Sequence, residues 1–205
     1  MILLIDKPTG ITSYDVIRKL KLVYPKQKIG HAGTLDPNAS GLLIVGVGDD
    51  TKKLAQFLKL DKEYDAVVEL GIKTDTGDID GKIIQEMAVP EINEGQISKV
   101  LEHLLGENEY DLPVYSAIKS GGEPLYKKVR RGEKVVAPKR KMIVYSAKLI
   151  KYKKPYIKIK FFVGSGTYIR SLAEVIGQKL NTVATLKNLR RTKIGDYVVE
   201  KASVI

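Results

Sequence analysis

The chain has 205 residues, a length that suits one domain with a sizeable core, and its 35 basic and 24 acidic residues give a net charge of +11. The absence of cysteine excludes disulfides and thiolate metal sites, and two histidines are too few for a zinc cluster. No apolar run is long enough to span a membrane and no signal peptide is recognisable, so we expect a soluble, cytoplasmic protein that holds no metal.

The first sixty residues alternate apolar runs with amphipathic stretches. These patterns predict, in chain order, a strand over 1–5, a helix capped by Ser13 and ending near Tyr24, a loop over 25–40, a strand over 41–47 and a helix from Asp50 or Thr51 to Lys59.

The middle of the chain favours strands. An alternating segment over 64–70 predicts a strand, and 82–86 is expected to pair with it across the loop 74–81, whose acids would shape the turns. Asn93 is expected to cap a helix, and 112–118 to be extended.

The last third of the chain is expected to contain a hairpin followed by a helix. Its patterns predict a short helix over 125–131, strands over 143–151 and 156–163, a helix over 167–180 and a final strand over 196–200. Strands outnumber helices and mostly follow one another. The sequence therefore predicts an α+β fold with a mixed, largely antiparallel sheet flanked by helices.

Positive charge is concentrated in one segment. Residues 119–160 contain fifteen Lys or Arg and only two acids, whereas the rest of the chain is close to neutral. A contiguous basic block interleaved with tyrosines is typical of a nucleic-acid partner. A solvated surface of lysine-rich strands is the alternative.

The run Gly30-His31-Ala32-Gly33-Thr34-Leu35-Asp36-Pro37 places one carboxylate in a glycine-rich turn. The glycines permit close approach of another molecule, and the proline fixes the chain direction after the acid. An aspartate held in this way is suited to nucleophilic or charge-stabilising chemistry. An acid that merely caps the turn is the alternative.

Five further blocks accompany this run in order along the chain. They are Leu3–Ser13, Lys62-Glu63-Tyr64 with Thr74–Asp78, Pro113–Lys119, Gly166–Leu172, and Leu189–Thr192 with Gly195. The six blocks are distributed over nearly the whole length of the chain, and they resemble the motifs of the TruB-type pseudouridine synthases.

The resemblance implies an enzyme that isomerises the T-loop uridine of tRNA, position 55 of the tRNA, without a cofactor. It implies a pseudouridine-synthase fold over residues 1–205, with an RNA-gripping insertion at about 121–140. It also implies tRNA as the partner, with no membrane and no obligate protein partner. The small C-terminal PUA-type domain common in bacterial relatives is not found in this sequence.

By resemblance, Asp36 is the catalytic residue and Arg170 faces it, while Tyr64 is the platform for the flipped uridine. Further contacts to the substrate are expected from His31, Lys119 and Leu189. The RNA-binding candidates in and beside the insertion are Lys127, Lys128, Arg130, Arg131 and Arg140.

Several roles stay open in the sequence. Asp36 could attack C1′, add to C6 or deprotonate C2′, and Arg190 and Arg191 could clamp phosphates or pair with buried acids. Lys7 is expected to brace the sheet behind the Asp36 loop. A guide-RNA-dependent synthase and an RNA-folding chaperone without catalysis are the alternative functions.

Overall fold

The computed structural model describes residues 1–116, 118–120, 122–133 and 135–205, without the side chains of Lys119, Ser120, Tyr126 and Arg130. The α-helices in this part of the chain are α1 (Ser13–Val23), α2 (Leu54–Leu58), α3 (Glu94–Glu102), α4 (Leu125–Arg130) and α5 (Ile169–Lys179). None of the helices described is long and apolar enough to cross a membrane.

The strands of the described chain are β1 (Ile2–Lys7), β2 (Ile29–Ala32), β3 (Ala39–Val47), β4 (Lys62–Leu70), β5 (Ile72–Thr74), β6 (Ile83–Glu86), β7 (Gly106–Asp111), β8 (Lys119–Ser120), β9 (Glu123–Pro124), β10 (Lys139–Lys153), β11 (Tyr156–Val163), β12 (Ala184–Ile194), β13 (Tyr197–Val198) and β14 (Ser203–Val204).

Ten of these strands form one mixed sheet. Eight follow the order β14-β1-β3-β12-β4-β11-β10-β7, while β2 pairs with β3 and β13 pairs with β12. Only the β1–β14 and β3–β12 pairs are parallel, so the sheet is largely antiparallel, as predicted.

The two faces of the sheet differ in burial. In β4, residues 62, 64, 66, 68 and 70 are buried and the intervening residues are only partly so. In β11, Ile157, Ile159, Phe161 and Val163 are buried, whereas Lys158, Lys160 and Phe162 are exposed. Helices α3 and α5 pack on the buried face and complete the largest hydrophobic core with it. In the part of the chain that the structure describes, the other face of β4 and β11 is only partly buried or exposed.

Helix α1 begins one residue earlier than expected, because Thr12 rather than Ser13 is its N-cap. The Thr12 side chain accepts a hydrogen bond from the Asp15 amide, and the Asp15 carboxylate accepts one from the Thr12 amide. This reciprocal pair is a capping box. Ser13 is instead free to hold the loop described below.

Removing this cap is expected to destabilise the protein. Thr12→Ala should lower the free energy of unfolding by about 1 kcal/mol, the usual effect of losing an N-cap side chain. Urea denaturation of this variant and of Thr9→Ala, which alters an exposed threonine outside the helix, measures the effect. An equal loss in both variants would contradict the role assigned to Thr12.

Several predicted elements were wrong. Residues 25–40 are not one loop, because β2 lies within them and β3 begins at Ala39. The segment β6 pairs with β5, which was not predicted, rather than with β4. The helix expected from Asp50 or Thr51 is a 3₁₀ turn over Gly48–Lys53 followed by α2. Of the final strand predicted over 196–200, only β13 is extended; a 3₁₀ turn at Val199–Lys201 follows it, and β14 was not predicted.

Candidate active site

The loop between β2 and β3 carries Asp36, and Ser13 and Gly10 hold its backbone on either side of the acid. Ser13, at the start of α1, donates to the Leu35 carbonyl at 3.1 Å and accepts from the Leu35 amide at 2.9 Å. The Gly10 amide donates to the Pro37 carbonyl at 2.9 Å. The loop is therefore fixed immediately before and immediately after Asp36.

Lys7, the last residue of β1, supports the same loop. Its side chain is fully buried, and its ammonium group donates to the carbonyls of Pro8, Ile11 and Pro37 at 2.9, 2.7 and 3.2 Å. Burial lowers the pKa of Lys7 to about 8, an effect that Asp36 opposes. From the sequence we expected Lys7 to brace the sheet behind this loop, whereas in the structure its ammonium group contacts the loop and the turn before α1 directly.

Arg191 on β12 is almost fully buried beneath the loop. Its guanidinium group donates to the carbonyls of Leu42 at 2.7 Å and of Gly33 at 2.9 Å. A Cβ atom at Gly41 would lie 2.2 Å from the Arg191 carbonyl oxygen, so only glycine permits this approach of β3 to β12. Arg190 points elsewhere and pairs with Asp6 at 2.7 Å. In this structure Arg190 pairs with an acid and Arg191 supports the loop.

The buried lysines near the loop make stability depend on pH. Burial lowers the pKa of Lys62 to about 8 as well, so between about pH 8 and pH 10 the unfolded chain binds more protons than the native one. The free energy of unfolding should therefore rise with pH, by at most about 1.4 kcal/mol per unit for each lysine. Urea denaturation of the parent and of Lys62→Met measures this pH dependence, and the free energy of unfolding should rise less steeply in the variant. A decrease in the parent's free energy of unfolding across these pH values would contradict the prediction.

Asp36 and Arg170 form the predicted contact. The Arg170 Nε atom lies 3.1 Å from Asp36 Oδ2, and Nη2 donates to Oδ1 at 3.4 Å. The Asp36 side chain is 38% exposed, whereas that of Arg170 is only 6% exposed. The acid is therefore accessible from outside while its counter-ion is enclosed by protein.

Arg170 is held by more than Asp36. It donates to the carbonyls of Thr76 at 2.8 Å and of Tyr115 at 3.2 Å, and its Nη1 atom lies 3.8 Å from Asp78 Oδ2. These contacts come from two segments of the chain, the loop after β5 and the segment around Tyr115. They fix the guanidinium plane against which Asp36 is oriented.

The pKa of the Asp36 carboxyl is raised above its usual value, mainly because the surrounding protein shields the group from part of the solvent. Arg170 and Lys7 act in the opposite direction, while the nearby carboxylates of Asp78 and Asp80 raise the pKa further. The arginine thus offsets part of the cost of keeping a charged carboxylate in this position.

Leu189 lies beside the loop on β12, and Tyr64 lies on the adjacent strand β4; that the two line the site stays a prediction. Tyr64 on β4 is 8% exposed and belongs to the same hydrophobic cluster as Leu35. Leu189 on β12 is half-buried and packs against this cluster. On the sheet, Leu189 lies opposite Ala39, three residues after Asp36.

His31 lies on β2, opposite Val45, and points into the protein. Its Nδ1 atom is buried and has no hydrogen-bond partner among the described residues. Burial and the nearby Arg191 lower the pKa of the imidazole, which favours the neutral form. An unpartnered ring nitrogen of this kind can accept or donate a hydrogen bond when a ligand reaches it.

The basic candidates of the insertion have different surroundings. Arg140 lies against Gly166, close to the start of α5, and is exposed. Arg131 makes a two-pronged ion pair with Glu123, with both contacts at 2.6 Å, and a further pair with Glu133 at 2.7 Å. Lys127 is exposed and Lys128 partly exposed, whereas the side chains of Lys119 and Arg130 lie outside the described part of the structure.

Comparison with known proteins identifies the family. Residues 21–169 match the model of the TruB family pseudouridylate synthase N-terminal domain. The chain is 46% identical to tRNA pseudouridine synthase B of Caldicellulosiruptor saccharolyticus. The alignment covers 98% of this chain and 69% of that relative. The chain belongs to the TruB family.

Other TruB family relatives differ in how much of them the chain spans. It is 42% identical to tRNA pseudouridine synthase B of Xanthomonas axonopodis pv. citri, covering 93% of the chain but 62% of that relative. It is 43% identical to the enzyme of that name from Endomicrobium trichonymphae, covering 98% of the chain and 87% of the relative.

The solved structures that resemble this chain are larger. A Cbf5–Nop10–Gar1 complex superimposes with a TM-score of 0.78 at 28% identity, over all of this chain and 52% of the matched one. An H/ACA RNP bound to a substrate RNA containing 2′-deoxyuridine gives a TM-score of 0.74 at 26% identity, over 99% of this chain and 50% of the matched one. Both comparisons support the pseudouridine-synthase fold.

Two residues of the site were missed in the sequence. Tyr168 is two residues before Arg170, and both Arg170 and Asp36 influence its pKa, which burial raises. Asp78 is a second carboxylate beside Arg170, although the acids of its loop were expected only to shape turns. Both lie within blocks that match the TruB family, so their motif context was the available signal. Among the described residues no cluster of His, Asp or Glu is suited to a metal ion.

Proposed function

We propose that this protein isomerises uridine to pseudouridine in the T-loop of tRNA, with Asp36 as the catalytic residue. The observation that carries the proposal is the partly exposed Asp36 carboxylate held at 3.1 Å by the enclosed Arg170 guanidinium, in a chain that belongs to the TruB family. The names of its relatives support tRNA as the substrate.

The proposed reaction rearranges one nucleoside and consumes nothing. The N1–C1′ bond of uridine breaks, the uracil turns, and C5 joins C1′. The hydrogen on C5 leaves as a proton, and N1 takes one up. An ionised carboxylate beside the sugar and base can act in each of the routes considered above, at C1′, C6 or C2′.

The uridine must leave its stack to reach Asp36, which costs a few kcal/mol. Tyr64, in the cluster that adjoins the Asp36 loop, is suited to recover part of this by stacking on the base. Once the base covers the site, Asp36 loses its remaining contact with water. Of the groups around Asp36, Arg170 then does most to keep the pKa of the carboxyl from rising.

Substitutions at Tyr64 should separate stacking from the contribution of the hydroxyl group. Tyr64→Phe keeps a ring and is expected to bind tRNA within about threefold of the parent, whereas Tyr64→Leu should weaken binding by about tenfold. Product formation should fall in both variants, since we propose that the Tyr64 hydroxyl group assists proton removal from C5. Parental activity in Tyr64→Leu would contradict the role of Tyr64.

The basic segment 121–140 is proposed to grip the T-arm. Arg140 is exposed near the start of α5, which carries Arg170, and Lys127 is exposed on α4. Arg131 would have to exchange its two carboxylate partners for phosphates. Such an exchange is feasible because all three side chains are at least one-third exposed and their ion pairs are weakened by solvent.

The test is to incubate the protein with an unmodified tRNA transcript and map pseudouridine by chemical labelling. We expect one modified position, in the T-loop, without added guide RNA. A transcript in which that uridine is replaced by cytidine is the control and should give no product. Binding without product would favour the chaperone function, and product only with guide RNA would favour the guide-dependent one.

A further inference from the structure

The open face of the sheet carries a lysine-rich surface that the proposed chemistry does not use. Neither β10 nor β11 contains an acidic residue. On the face turned away from α5, these strands present Lys148, Lys151, Lys153, Lys158 and Lys160, all of them exposed. We call these five residues the lysine face.

Its lysines stand directly opposite one another. In the register of β10 and β11, Lys148 faces Lys160 and Lys151 faces Lys158. Like charges in cross-strand pairs are destabilising. Among the described residues, the lysine face makes one contact with a carboxylate, from Lys160 to Asp65 at 3.9 Å. An arrangement that disfavours folding in this way is suited to a polyanionic ligand that neutralises it.

The neighbouring acids are already occupied. On β4, the strand next to β11, Glu69 pairs with Lys187 at 2.8 Å and Glu63 with Lys193 at 3.6 Å. These two acids of β4 therefore serve β12, and among the described residues the lysine face keeps only the contact of Lys160 with Asp65. A ligand from outside the chain is the remaining source of negative charge.

A cavity of about 530 Å³ opens beside these lysines. Val67, Ile79 and Tyr156 supply its apolar walls, and Lys151, Lys153 and Lys158 lie at its border. The volume is typical of a small-ligand pocket. An aromatic, apolar cavity bordered by ammonium groups matches a nucleotide, whose flat base is apolar and whose phosphates are anionic.

We propose that the lysine face is a second RNA-binding surface, on the side of the sheet away from Asp36. A nucleotide enters the cavity against Tyr156, and the flanking phosphates contact Lys151 and Lys158. The proposal rests on the proposed function only in taking RNA as the ligand. It extends that function, because it gives the chain an RNA contact outside the catalytic cleft.

The test uses the whole chain with its catalytic cleft saturated by a T-arm hairpin. Binding of a labelled ten-nucleotide oligouridylate is then measured by fluorescence anisotropy against salt concentration. The parent should bind the oligonucleotide while the hairpin stays bound. Lys151→Gln/Lys158→Gln should bind it about tenfold more weakly, with a salt slope lower by about 1.4. Tyr156→Leu should weaken binding by a similar factor through lost stacking.

The matched control is Lys19→Gln/Lys26→Gln, which removes the same charge from exposed positions elsewhere. It should bind within about twofold of the parent. Thermal denaturation checks folding, and loss of the Lys151–Lys158 repulsion should raise the melting temperature by about 1–2 °C at low salt.

The proposal would be overturned if the two double variants bound the oligonucleotide with the same affinity, or if the hairpin displaced the oligonucleotide. It would also be overturned if the lysine face bound a polyglutamate peptide as tightly as it binds the oligonucleotide. The hairpin's own conversion to pseudouridine is scored separately in the same samples. Failure of the proposed function is therefore distinguishable from failure of the second surface.

Discussion

Replacement of Asp36 by asparagine is expected to abolish pseudouridine formation while leaving RNA binding intact. The amide has the shape of the carboxylate but can act neither as a nucleophile nor as a base, so the rate should fall by at least about 10³-fold. Binding should stay within about threefold of the parent, because the loop is held through Leu35 and Pro37 rather than through the Asp36 side chain.

Filter binding of the tRNA transcript and chromatography of its nucleosides measure the two properties of this variant. Lys52→Gln changes an exposed side chain on the 3₁₀ turn and serves as the control, which should match the parent in both properties. Loss of binding in parallel with product would mean that Asp36 holds the RNA or the fold rather than carrying out the reaction.

Replacement of Arg170 by methionine should impair both activity and stability. The substitution removes the cation from Asp36 and Asp78 and leaves the Thr76 and Tyr115 carbonyls without their donor. Loss of a largely buried ion-pair partner should lower the free energy of unfolding by about 3 kcal/mol. The rate should fall by about 10²-fold or more, because the carboxylate is no longer oriented.

The pH dependence of this variant is the more specific readout. Since Arg170 lowers the pKa of Asp36, its removal should shift the acidic limb of the rate profile to higher pH. Arg170→Lys keeps the positive charge, so the acidic limb of its rate profile should shift less. It should lose the guanidinium hydrogen bonds as Arg170→Met does. An unchanged acidic limb in Arg170→Met would contradict the electrostatic role of the arginine.

The sequence predicted the elements whose side chains alternate or form an apolar stripe. Helix α3 with its Asn93 cap, helix α5, and strands β4, β10 and β11 all lie where these patterns placed them. In each, one face is buried in the main core and the other is polar, so the period of the pattern identifies the element.

Strand β12 was missed although it lies in the centre of the sheet. Its segment ATLKNLRRTKI is rich in charge, because neighbouring strands supply an ionic partner for most of its basic side chains. Arg190 pairs with Asp6, Lys187 with Glu69 and Lys193 with Glu63. Such partners come from distant parts of the chain, so local hydrophobicity gives no indication that the segment is a strand.

Strand β7 was missed for a different reason. It is an edge strand, and apart from Tyr110 its residues are exposed, so it has no apolar face to detect. Polar edge strands of this kind protect a sheet against unwanted pairing.

The Asp36–Arg170 contact was expected only through resemblance to a family, since 134 positions separate the two residues in the chain. Arg170 contacts Asp78 as well as Asp36, because the loop after β5 folds back on β12. There the Ile79 amide donates to the Leu186 carbonyl at 3.1 Å. A long-range contact of this kind has no local sequence signal.

Release of tritium from C5 of uridine reports whether Asp36 carries out the isomerisation, because the hydrogen leaves only when C5 joins C1′. A tRNA transcript labelled at C5 is incubated with excess parent protein, Asp36→Asn or Asp78→Asn, the last of which alters the other carboxylate beside Arg170. The parent should release the label of one uridine per tRNA, Asp78→Asn should do so within about tenfold of the parental rate, and Asp36→Asn should release none. Release by Asp36→Asn at a rate comparable to that of Asp78→Asn would contradict the account.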